Sequence, residues 1–215
     1  PVGQFGTRLQ GGQDSSSPRY IFTHLSKNFK NMFNPDDYSL VNYLNDDGFS
    51  IEPSFYVPVL PLILINGACG IGTGFSTDIP CFNPEDLKDR LLKLVDDEDA
   101  DIPELTPWYN GFTGTIDKVE ENRWVSKGIY KIVSNTVTIT ELPIGTWTED
   151  YKSFLDKLET EEQIYSYKNM SSETDVHFEV KIPLENIINW RDNKELDKKL
   201  KMTSYISAKN MHVFN

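Results

Sequence analysis

Cysteine, histidine and positive charge are all scarce in this chain. Its two cysteines, Cys69 and Cys81, are too few for a disulfide framework, and their spacing matches no zinc pattern. The three histidines, His24, His177 and His212, are scattered, so no metal-ligand cluster is legible. Reduced, buried or half-buried thiols are the default reading, with a cytosolic or nuclear setting favoured. Long apolar runs are missing too. The most apolar stretch, "FYVPVLPLILING", falls short of the ~20 residues of a membrane span. Pro58 and Pro61 interrupt it, which predicts a buried strand or loop. "PVGQFG" has neither a basic start nor an apolar core, so no signal peptide is expected. Without an initiator Met the sequence reads as a piece of a longer protein.

Enough is present for a folded body. The 215 residues, 38% apolar and 12% aromatic, can bury a proper core in one or two domains. The formal charge of −12 argues against nucleic acid until its distribution is considered. Residues 1–33 carry Arg8, Arg19, Lys27 and Lys30 against Asp14 alone, a net of +3, which leaves −15 for the remainder. A basic end on an acidic body can still meet a phosphate backbone, because the field at the contact surface decides.

"GQFGTRLQGGQDSSSP" has four glycines and no apolar period, so it predicts a loop or paired tight turns. "RYIFTHL" begins like a strand. "SKNFKNMF" predicts a short helix capped by Ser26, and "NPDDYSLVNYL" a second one opened by Asn34 and Pro35. "NDDGFSIEPSFY" is turn-rich. "NPEDLKDRLLKLVDD" carries the clearest helix signal. Asn83 caps it, Pro84 opens it, and Leu87, Leu91 and Leu94 or Val95 form one stripe. "DDEDAD" then reads as a solvated link and not as a metal site.

From about residue 108 the character turns to β. "GTIDKV", "RWVSKGIYKI" and "TVTITEL" predict an antiparallel set with one face wet. "TWTEDYKSFLDKLE" predicts a helix capped by Thr148. "TDVHFEVKI" alternates with Val176, Phe178, Val180 and Ile182 inward. "LENIINWRDNKELDKKL" predicts a helix, and "MHVFN" a last short strand. The fold class is α+β, a mixed α/β body.

Two stretches invite chemistry. Tyr20 follows Arg19 in a basic, glycine-rich setting. A phenol ionises near pH 10 and needs cations to stabilise its oxyanion before it can attack a phosphodiester. Arg19 and Arg8 offer planar forks suited to phosphate. On a strand Arg19 and Tyr20 would point to opposite faces, so both reach one phosphate only if the chain bends there. The plainer alternative is a packed or merely phosphate-touching tyrosine. "NGACGIGTGF" is neither a Walker A loop nor G-x-G-x-x-G. Its Ile71, between two glycines, is either a core plug on a tight turn or a wedge that enters between base pairs.

Taken in order, "PVGQFGTRLQGG", "SSSPRYIFT", "LINGACGIGTGFSTDIP" and "ITELPIGTWT" closely resemble the breakage–reunion region of eukaryotic-type type IIA DNA topoisomerases, of which large DNA viruses also encode relatives. The resemblance implies that 1–35 is the last part of a winged-helix domain and 36–215 a tower-like domain with an antiparallel sheet and flanking helices. It implies Tyr20 as the nucleophile that joins a 5′ DNA end and Arg19 as the residue holding that phosphate. Gly3, Gln4, Gly6, Arg8, Asn66 and Ile71 would contact DNA, with Ile71 as the bending wedge. It further implies double-stranded DNA as partner, a homodimer and no membrane. Mg2+ and ATP would bind in domains outside this chain, so no metal ligand is assigned. The setting would be the nucleus for a cellular enzyme, and a cytoplasmic viral factory or the host cell for a viral one. Cys69 stands where a Glu or similar polar residue is expected, and Gly145 where the pattern carries a basic one. A noncatalytic DNA-binding or bending module is the competing reading.

Overall fold

The structure, a computed structural model, describes residues 2–102 and 104–213. They form two compact units that do not follow the order of the chain: 2–23 belongs with 106–209, and 24–105 with 210–213. The division expected between residues 35 and 36 therefore falls inside the second of these.

In the 24–105 unit, α1 (Phe29–Met32) is a single turn. Asn28, not Ser26, stands at its cap position, without a side-chain bond. Asn34 accepts from the Asp36 N–H as expected, but the element it caps is a 3-10 turn over Pro35–Ser39. The chain then enters β1 (Tyr43–Asp46), which pairs antiparallel with β2 (Phe49–Pro53). Asp47 and Gly48 join them, both at positive φ (47° and 86°), which is the Asp-Gly hairpin turn. The Pro-broken apolar run is loop over 55–61, with one isolated bridge from Pro58 to Phe33, and none of it is a buried strand. It then forms α2 (Leu62–Asn66), a short helix with no fully buried residue.

A second hairpin follows, β3 (Ala68–Gly72) with β4 (Phe75–Ile79), registered from Ala68↔Ile79 to Gly72↔Phe75. Helix α3 (Pro84–Asp96) begins as its sequence dictates: Asn83 accepts from the Glu85 N–H at 2.9 Å and Pro84 opens the first turn. Leu87 is buried with Ile79 and Phe82, while Val95 leaves the stripe for solvent. Residues 210–212 return beside β4, where the Asp78 N–H donates to the Asn210 carbonyl at 2.8 Å. The strand expected at 211–215 is absent from 211–213, and residues 214 and 215 lie outside the described residues.

The other unit is built on two antiparallel sheets. Strands β5 (Thr115–Glu120) and β6 (Arg123–Lys127) form the first hairpin; β7 (Ile129–Val133) and β8 (Thr136–Glu141) form the second. After them come α4 (Thr148–Thr160), β9 (Ser166–Asn169), β10 (Phe178–Lys181), α5 (Leu184–Asp192), α6 (Leu196–Lys199) and β11 (Thr203–Ser207). The sheet orders are β11-β6-β5 and β7-β8-β10-β9.

"RWVSKGIYKI" is thus not one strand. It breaks at Gly128, where the chain passes from one sheet to the other. A β-carbon there would lie 2.4 Å from the Glu141 carbonyl oxygen and 2.6 Å from the Met202 methyl carbon, so only glycine fits. The core takes alternate residues Val137 and Ile139 of β8 and Phe178 and Val180 of β10, all fully buried. Tyr151, Leu155 and Leu158 of α4 and Ile187 and Trp190 of α5 cover them. Each such side chain contributes about 1.5–3 kcal/mol by leaving water. Thr148 is the first residue of α4 and not its cap; Trp147 holds the cap position. Lys194, at φ 56°, sits between α5 and α6 in what the sequence suggested was one helix.

Candidate functional site

The backbone around Tyr20 answers the question its neighbour raised. Residues 18–20 form a 3-10 turn with Pro18 at its first position, and the Tyr20 N–H donates to the Ser17 carbonyl at 2.9 Å. Proline presets φ for that turn. Successive side chains on it are about 120° apart, against 180° on a strand. Arg19 and Tyr20 therefore share a side: the guanidinium carbon stands 5.2 Å from the Tyr20 ring centroid. Tyr20 is 64% exposed. Among the described residues, no carboxylate is ion-paired with Arg19. The strand expected from Tyr20 onward is reduced to one bridge, Phe22 with Val2, whose two N–H donors reach the opposite carbonyls at 2.9 and 2.7 Å.

The bridge closes a loop over residues 3–21, and residues 2–23 include no buried side chain. Gly6, at φ 100°, lies against Gly12, where a β-carbon would come within 2.4 Å of the Gly12 Cα. The Thr7 N–H donates to the Asp14 carboxylate at 2.9 Å, and its hydroxyl donates to the same carboxylate. Those bonds, the hydroxyl's first, hold the Asp14 carboxyl below its ordinary range. The Ser16 N–H donates to the Gln4 carbonyl at 2.9 Å. Gly3 and Gln4 are exposed and Gly6 is half-buried. Gly3 is packed so closely on the Tyr20 carbonyl that a β-carbon would stand 3.1 Å from it.

Arg8, read from sequence as a DNA-track cation, places its guanidinium on the carboxylate of Glu141, which is only 2% exposed. Glu141 also accepts from the Leu142 N–H (3.0 Å) and from the Thr113 N–H and hydroxyl (3.1 and 2.9 Å). Sequence reasoning missed Glu141. The signal available was its place in "ITELPIGTWT", next to the buried run of β8.

In the 24–105 unit, Ile71 projects from the β3–β4 hairpin and is 92% exposed, which removes the core-plug alternative. Thr73 and Gly74 form the turn beyond it, with Gly74 at φ 78°. Asn66 is exposed at the end of α2, where Gly67 redirects the chain into β3 at φ 66°. Cys69 is exposed; Cys81 is half-buried and its thiol is pushed up by burial. Gly145 has a backbone reason of its own. It occupies the third place of a turn closed by the Thr146 N–H on the Pro143 carbonyl (3.1 Å), at φ 80°. Among the described residues, no group of three or more His, Cys, Asp or Glu could hold a metal ion. None of their helices is long and apolar enough to cross a membrane.

Compared with known proteins, residues 1–215 match the family of the DNA gyrase/topoisomerase IV A-subunit. DNA topoisomerase 2 of Arabidopsis thaliana is 43% identical over 223 residues, covering 100% of this chain and 15% of that protein. The mitochondrial DNA topoisomerase 2 of Dictyostelium discoideum is 41% identical, covering 99% and 16% respectively. The chain thus spans only about a sixth of these relatives' length. Among solved structures, the DNA-binding, cleavage and re-ligation domain of Plasmodium falciparum topoisomerase II superimposes with a TM-score of 0.90 at 39% identity, covering 100% of this chain and 29% of that one. The chain therefore belongs to the DNA gyrase/topoisomerase IV family and corresponds to the breakage–reunion region of its eukaryotic-type topoisomerase II members.

Proposed function

We propose that this chain is the tyrosine-bearing part of an ATP-dependent type II DNA topoisomerase, which cuts both strands of one duplex, passes a second through, and reseals. The observation that carries the reading is the exposed Tyr20 with the Arg19 guanidinium beside its ring, in a chain of this family. The similar Plasmodium structure is described as a DNA-binding, cleavage and re-ligation domain, which supports the same reading.

The Tyr20 phenolic oxygen attacks a backbone phosphorus in line with the 3′ oxygen. The new O–P bond joins Tyr20 to the 5′ end as the P–O3′ bond breaks; the phenol gives up its proton and the departing 3′ oxygen gains one. Negative charge grows on the phosphoryl oxygens, where Arg19 is placed to balance it. The aryl ester retains the energy of the bond it replaced, so attack by the 3′ hydroxyl reverses the step without another reactant. Cutting both strands takes two tyrosines, hence a homodimer. Gly3, Gln4 and Gly6 bring backbone close to the duplex, and Ile71, with Asn66 at the base of its hairpin, enters between base pairs to bend it. Mg2+ and ATP belong in this reading to other parts of the full-length protein. The surplus negative charge of the body confines DNA to the basic track and discourages nonspecific binding.

The test is a denaturing gel of full-length protein incubated with end-labelled duplex and Mg2+. Wild type should carry label covalently, and Tyr20→Phe should carry none while still binding DNA. Adducts that survive the substitution would reject Tyr20 as nucleophile. Bending without any adduct in wild type would favour the noncatalytic module.

A further inference from the structure

The loop that leads into Tyr20 has no core of its own, so its order depends on what holds it from outside. The holds within its unit fall on residues 8–11. The Arg8 N–H donates to the Glu173 carbonyl at 3.2 Å, and the Leu9 carbonyl accepts from the Glu149 N–H at 2.9 Å. Gly11 lies on the Trp147 ring, where a β-carbon would come within 2.2 Å. The fourth hold is the Arg8 guanidinium on Glu141, the ionic one of the four, and its acid is buried. Two of the four partners, Glu141 and Trp147, belong to "ITELPIGTWT", so two of the family-like motifs meet here.

From this foothold the loop is wired to the tyrosine. Thr7, next to Arg8, is clamped to Asp14. Gln4 accepts from Ser16, two residues before the turn, and Gly3 abuts the Tyr20 carbonyl. The surroundings of Arg8 are also of the wrong sign for DNA. Besides Glu141, its charge reaches Asp175, whose carboxyl is held low first by Thr174 and Ser172 and then by Arg8. A phosphate approaching Arg8 would meet two carboxylates that already claim it.

We propose that Arg8 is a positioning residue: seated on buried Glu141, it fixes the loop that presents Arg19 and Tyr20, and it does not neutralise a DNA phosphate. The inference rests on Tyr20 being the nucleophile. A displacement of about 1 Å at an attacking atom costs on the order of 100-fold in rate. Loss of a phosphate contact does something different: it weakens binding and lowers the salt slope by about one.

The experiment uses the full-length protein with Arg8→Ala, Arg8→Lys and Glu141→Gln. For each, it follows adduct formation at saturating duplex, duplex affinity across a salt series, and thermal melting. Arg8→Ala should lose on the order of 100-fold in adduct rate with affinity and salt slope unchanged. Glu141→Gln should show the same pattern although it removes no positive charge. Arg8→Lys keeps the charge but not the planar guanidinium that sets its nitrogen on Glu141, so it should restore part of the rate; a phosphate contact predicts wild-type behaviour instead. The proposal is overturned if Arg8→Ala lowers affinity and salt slope, or if Glu141→Gln or Arg8→Lys cleaves at the wild-type rate. Should Glu141→Gln fail to fold, the two Arg8 variants still decide. Persistent adducts in Tyr20→Phe would sink the underlying reading; a dead Tyr20→Phe beside fully active Arg8 variants would sink this inference alone.

Discussion

If Ile71 is the bending wedge proposed above, Ile71→Ala should abolish DNA bending while leaving the fold intact. The side chain is 92% exposed, so truncating it removes almost nothing that folding had buried. The hairpin beneath it is held by backbone pairing from Ala68↔Ile79 to Gly72↔Phe75, which alanine leaves in place. What remains is a difference in strand preference, below about 1 kcal/mol. In the bent complex the balance reverses. Ile71 would leave water between two base pairs, and the three carbons lost on truncation are worth roughly 2 kcal/mol at ~0.8 kcal/mol each. A population shift of about 30-fold follows. The assay is energy transfer between dyes on the two ends of a short duplex saturated with full-length protein, with melting of the same samples as the control. The bent fraction and the adduct yield should both collapse at an almost unchanged melting temperature. Bending equal to wild type would refute the wedge, and a large fall in melting temperature would refute the argument that this side chain is idle in folding.

Gly128→Ala should destabilise the unit containing Tyr20 by about 1–3 kcal/mol, since the added methyl collides with a backbone oxygen; urea unfolding with an unchanged slope checks this. Tyr151→Phe should cost about 1–3 kcal/mol, because the Leu200 carbonyl loses the hydroxyl that reaches it at 2.8 Å. Burial also raises the Tyr151 ionisation well above the ordinary 10.0, so the folded state keeps a proton that the unfolded chain surrenders. Stability present below pH 10 therefore falls as pH rises beyond it, and it should fall less steeply in Tyr151→Phe. The 215-residue piece alone should neither cleave nor relax DNA; relaxation by a clean sample would show that it needs nothing from the rest of the protein.

Period and caps made the regular elements legible. Asn83 and Pro84 start α3 where the sequence places it, and the alternation from Val176 to Ile182 is the inward face of β10 and its flanks. What stayed hidden was decided by distant partners. The only local mark between β6 and β7 is Gly128; that the position admits nothing larger is decided by Glu141 and Met202, which crowd it. The segment with the Asp47–Gly48 turn read as turn-rich, but the two strands it joins did not show, because both are exposed almost throughout and bury no face. The placing of Arg19 beside Tyr20 was not legible, since it depends on Pro18 setting a turn where β-formers suggested a strand. Ile71 looked like a core plug by residue type, and only the hairpin shows it standing in solvent. Glu141 was the hardest, because a carboxylate is expected outside unless its cation is known.

That cation stands 133 positions earlier in the chain. During synthesis the segment bearing the phenol emerges long before the strand that will seat it, and the whole of the other unit's 24–105 stretch is made in between. A ribosome working at ~5–20 residues per second leaves this gap open for roughly 7–27 seconds. Until it closes, a nascent chain, or one truncated before residue 141, exposes Tyr20 without the buried carboxylate that seats Arg8.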